Sequence, residues 1–149
     1  MSRATPKMRD FSERLIAHET RANKSSETET PAIFLVVEKL RPNLATLMGN
    51  IGFRALLSRA LVLTNAEGAW LRAVHVKVDG SFDGLDELEA HMSSEEIAEG
   101  GVVLLAQLLG LLVAFIGESL TLRLVRDVWP KLPLNDLDFG TGDNNETAE

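Results

Sequence analysis

No cysteine occurs in the 149 residues of this chain, which excludes disulfides, zinc–thiolate sites and cysteine nucleophiles and suits a reducing compartment. Other marks of common catalysts are missing too. There is no Gly-rich phosphate loop, no nucleophile elbow and no His-Glu-x-x-His. The three histidines, His18, His75 and His91, stand far apart in the chain without acid or nucleophile neighbours in a recognised pattern, and each reads as an ordinary surface or core residue. No catalytic group, metal ligand or cofactor site is therefore expected, and the chain reads as non-enzymatic. The stretch Met1 to Leu15 carries Arg3, Lys7, Arg9, Asp10, Glu13 and Arg14 and no apolar run able to act as a signal-peptide core. A cytoplasmic protein is the expectation.

Charge is scarce where hydrophobicity is high, and one-sided elsewhere. The net charge is −7 and hydrophobic residues make up 45% of the chain, enough for one substantial core in a chain of this length. Residues 1–30 hold six bases and five acids, residues 31–131 nine bases and twelve acids, and residues 132–149 five acids and no base. Within the middle, Lys39, Arg41, Arg54, Arg59, Arg72 and Lys77 face only Glu38 and Glu67. Asp79, Asp83, Asp86, Glu87, Glu89, Glu95, Glu96 and Glu99 then come without a base. A basic half thus precedes an acidic one, which complements itself within one molecule or between two.

The periodicity predicts a mainly α fold: a small helical bundle around one long apolar C-terminal helix at about 101–128, with a short β-hairpin near 72–85. Three regions are expected. Residues 1–30 read as an N-terminal helix that starts at Thr5-Pro6 and docks loosely, followed by a flexible linker without apolar residues at 23–30. Residues 31–131 form the helical domain, and 132–149 an acidic disordered tail. Phe34, Val37, Leu40, Leu44, Leu47 and Met48 recur at helical spacing, with a kink or break expected at Pro42. The β-branched run Ile33 to Val37 also admits a strand. Gly49 suits a corner before a second helix at 51–63. Asp79-Gly80 is a hairpin turn signal, and Asp86 to Met92 reads as a short helix. Ser93-Ser94-Glu95-Glu96 is a capping box that opens the apolar helix, with Gly100-Gly101 as a place where that helix loosens.

The run Gly101 to Gly117 carries no charge and is apolar all round, so it belongs inside protein or lipid. A soluble core helix is the preferred reading, because the helices at 31–48 and 51–63 need a large apolar partner. Ala106, Gly110, Ala114, Gly117 and Thr121 fall at spacings of four, four, three and four. They form a strip of small side chains beside Gln107 and Glu118, and such strips let helix backbones approach closely. These seven residues are the candidate interaction site, either as an internal crossing or as a seam between copies.

Asp79-Gly80-Ser81-Phe82-Asp83-Gly84 resembles the first half of an EF-hand calcium loop, with oxygen side chains at loop positions one, three and five and glycine at six. The twelfth position falls on Ala90 rather than the closing glutamate, and a hairpin turn is preferred. Ala45 and Gly49, ahead of a helix bearing Arg54 and Arg59, resemble the turn of a bacterial helix-turn-helix. Ala55 and Ser58 depart from that pattern and the net charge opposes phosphate binding, so nucleic acid is not an expected partner. The expectation is a self-associating protein-interaction or regulatory domain whose partner is a protein or a second copy. The alternative is a conditionally membrane-inserting or membrane-associated helical protein that uses the apolar helix 101–117.

Overall fold

The computed structural model describes residues 5–22, 31–68 and 70–131. The linker expected at 23–30 and the acidic tail expected at 132–149 lie outside these residues. The chain is mainly α. In order it forms α1 (Pro6–Ala22), α2 (Ala32–Glu67), β1 (His75–Val76), β2 (Phe82–Asp83), α3 (Leu85–His91), α4 (Ser94–Ile116) and α5 (Glu118–Val128).

Helix α1 begins as its sequence demands. Thr5 Oγ1 accepts from the Met8 amide at 3.1 Å, and Pro6 occupies a first-turn position whose N–H would have no helical partner. The helix docks firmly rather than loosely, because Met8, Phe11 and Leu15 are fully or almost fully buried against the rest of the core. Its apolar stripe is thin in the sequence because two of its members are polar: Ser12 and Glu19 lie on the same buried face. The Glu19 carboxylate accepts from Lys39 Nζ at 3.0 Å and from Trp129 Nε1 at 2.9 Å. One buried acid therefore ties α1 to α2 and to the end of α5. A buried carboxylate without such donors would cost several kcal/mol.

Helix α2 bends at Gly49, whose φ of 79° and ψ of 162° are its only non-helical dihedrals. Before the bend it buries Ile33, Phe34, Val36, Val37, Leu40 and Leu44, and after it Phe53, Leu57, Ala60, Leu61 and Thr64. The β-branched run at Ile33 to Val37 is helical rather than extended, because it lies against α4, where packing outweighs a weak local preference. Nor does the helix break at Pro42. Pro42 and Glu38 are both on the exposed side, where water can satisfy the carbonyl that lost its donor. The second arm runs to Glu67, four residues past its expected end.

The hairpin pairs His75 with Asp83 and Val76 with Phe82. Its turn closes on Asp79, whose Oδ1 accepts from the Ser81 amide at 2.9 Å and the Ser81 hydroxyl at 2.6 Å. Gly80 takes φ 89°. The stretch that resembles half a calcium loop is thus the turn of a hairpin. Phe82 anchors it edge-on to Phe34, with ring centroids 4.7 Å apart.

Helix α4 opens on the capping box, with Glu96 N to Ser93 Oγ at 3.1 Å and Ser93 N to Glu96 Oε1 at 2.9 Å. Gly100 and Gly101 do not loosen it. A Cβ on Gly100 would fall 2.5 Å from Trp70 Cβ, and one on Gly101 2.9 Å from Ile33 Cβ; both are places where neighbours press on the helix backbone. The expected single helix over 101–128 is corrected at Gly117, where φ 93° and ψ 158° end α4 and start α5. That backbone region is open to glycine almost alone. Gly49 and Gly117 therefore make the same kind of corner with nearly the same dihedrals.

Candidate interaction surface

Helix α4 has no charged residue between Glu99 and Glu118, yet its two halves meet different surroundings. From Val103 to Leu109 every residue is buried, together with Ile97, Gly100 and Gly101 before them. Beyond Leu109 only Leu112 is buried. Gly110, Leu111, Val113 and Ile116 are half-buried, Ala114 is exposed, and Phe115 is 68% exposed. An aromatic side chain of this size in water is unfavourable by roughly 1.5–3 kcal/mol relative to burial.

The strip of seven small and polar residues divides between these surroundings. Ala106 and Gln107 point into the core, where Gln107 Nε2 donates to Glu67 Oε2 at 2.6 Å. Thr121 is buried on α5, its hydroxyl donating to the Gly117 carbonyl at 2.8 Å. The turn at Gly117 carries Thr121 and the half-buried Glu118 onto a second helix, so the seven residues do not form one line. Gly110, Ala114 and Gly117 remain at the surface end. A Cβ on Gly110 or Gly117 would meet no atom within 4 Å. Close internal approach thus occurs at Gly100 and Gly101, and the outer part of the strip is uncovered.

Two further features flank α4. Helix α5 exposes Arg123 and Arg126, which with Ser119, Leu120 and Leu122 line a shallow groove. Among the described residues neither arginine forms an ion pair. At the other end of α4 a second groove, of about 490 Å³, lies between α1, α2, α3 and α4, with Ile16, Ile33, Met92, Ile97 and Ala98 as its apolar walls and Glu89 at its rim. Sequence patterning has no means of finding it, since four separate helices contribute.

Among the described residues no group of three His, Asp or Glu side chains is placed to hold a metal ion. The exposed Asp79 is held below the usual carboxylate range by the Ser81 hydroxyl first and then by the Ser81 amide. That bond pattern belongs to the hairpin turn. No protein-family model, curated protein or solved structure matches the chain.

Proposed function

We propose that the protein is a non-enzymatic interaction domain that associates with itself through the outer half of α4. The observation that carries this reading is Phe115, 68% exposed at the end of a helix without charge beyond Glu99; on other sides of the same helix end, Gly110 and Gly117 have open space over their backbones. The small residues offer a partner close approach to the backbone, and the exposed aromatic offers it a side chain to bury. Stable interfaces bury about 800 Å² per partner, so this end of α4 would form the centre of a contact that extends onto α5. Cytoplasmic location agrees with the cysteine-free composition.

Sedimentation velocity from low to high micromolar concentration tests it. Wild type should shift to larger species as concentration rises. Gly110→Leu, which has room within the monomer, should remain folded by circular dichroism and sediment as a monomer. A wild type that stays monomeric at high micromolar concentration rejects the reading.

A second reading has its own observation. Helix α4 is 23 residues long and apolar enough to cross a membrane, and at 1.5 Å per residue it spans about 34 Å. Against it, 56% of its apolar window is buried within the chain, where α1 and α2 have no other large partner. Flotation of the protein with liposomes would favour this second reading over self-association.

A further inference from the structure

Building on self-association through the outer half of α4, we infer that the contact is head to tail: the Phe115 end of one copy enters the groove between α1, α2, α3 and α4 of the next. Charge is the first argument. The Phe115 end is followed by Arg123, Arg126 and Lys131, all exposed, against Glu118 and Asp127, a small positive excess, and neither arginine forms an ion pair among the described residues. The groove is rimmed by Glu89, with Asp86 and Glu95 exposed on the two helices that build that rim. A like-with-like pairing of two Phe115 ends would set that positive excess against itself. Opposite charges meet in the head-to-tail arrangement.

Shape and distance agree. The groove is open, walled by Ile16, Ile33, Met92 and Ile97, and its volume of about 490 Å³ has room for an aromatic side chain and its neighbours. Ala98, on the groove wall, and Phe115 are seventeen residues apart on one helix, about 26 Å along its axis. A copy therefore cannot fill its own groove with its own Phe115. Each copy presents one donor end and one acceptor groove, and a contact of this kind does not stop at a dimer unless the rotation closes into a ring.

Complementation by sedimentation velocity provides the test, on the full chain. Phe115→Asp removes the inserting end and leaves the groove; Ala98→Arg, at an exposed wall position, obstructs the groove and leaves the end. Each variant alone should be monomeric, with a circular dichroism melt like wild type. An equimolar mixture should form a species of twice the monomer mass and nothing larger, because each such pair has one usable end and one usable groove. Glu89→Lys should weaken wild-type association at least tenfold, and raised salt should act in the same direction. If wild type associates while the mixture stays monomeric, or if Ala98→Arg associates normally, the head-to-tail contact is wrong although self-association stands. A monomeric wild type overturns both.

Discussion

The two halves of α4 are built from the same few residue types and do different work. The first, up to Leu109, is enclosed by α1, α2 and Trp70; the second, from Gly110 to Ile116, has only Leu112 wholly inside. Both halves contain glycine, and the glycines show the difference most clearly. At Gly100 and Gly101 an added methyl group would collide with Trp70 and Ile33, whereas at Gly110 it would meet nothing within 4 Å. Hydropathy alone, then, does not locate a core. What makes the first half a core is the presence of complementary faces on α1 and α2, and where those end the same apolar pattern becomes surface.

Four substitutions sharpen this contrast, each read by thermal or denaturant unfolding. Gly101→Leu should have the largest effect, because the added side chain must displace Ile33 in a packed region. Overpacking typically costs about 1–3 kcal/mol, and the 2.9 Å overlap with Ile33 Cβ places this variant at or beyond the upper limit. Gly117→Ala should come next, at about 1–3 kcal/mol, since it forces a β-carbon into a backbone region that glycine alone occupies comfortably. Ser93→Ala should remove the side-chain half of the capping box at the start of the buried half and lower stability by about 1 kcal/mol. Gly110→Ala should have the opposite sign. It sits in a helix with free space above it, so replacing glycine should stabilise the monomer by about 0.5–1 kcal/mol. A destabilised Gly110→Ala would mean that the outer half is packed after all.

Local signals in the sequence locate the elements that have local causes. The capping box at Ser93, the turn at Asp79-Gly80 and the corner at Gly49 depend on residues within a few positions of each other, and all three form as expected. Gly117 makes a corner much like Gly49's, yet its spacing also fits a packing strip. No Asn or Pro stands beside it to distinguish a turn from a contact, and glycine serves both uses. For the same reason Gly100-Gly101 reads as a loose point in the sequence and is a tight one in the fold. The docking of α1 is underestimated from sequence because Glu19 reads as a surface residue until Lys39 and Trp129, distant in the chain, supply its donors. Of the candidate strip, Gly110, Ala114 and Gly117 keep to the surface, while Ala106, Gln107 and Thr121 are drawn inward. Spacing on an ideal helix cannot anticipate that division, because it arises from a helix end and from partners on other elements.

The proposed division of α4, a half covered by its own chain and a half left for another copy, is tested most directly by hydrogen exchange, followed by mass spectrometry at several protein concentrations. Amides from Val103 to Leu109 should be strongly protected at every concentration, while those from Gly110 to Ile116 should gain protection as concentration rises, with Phe115→Asp abolishing the gain. Equal and concentration-independent protection along the whole helix would contradict the division.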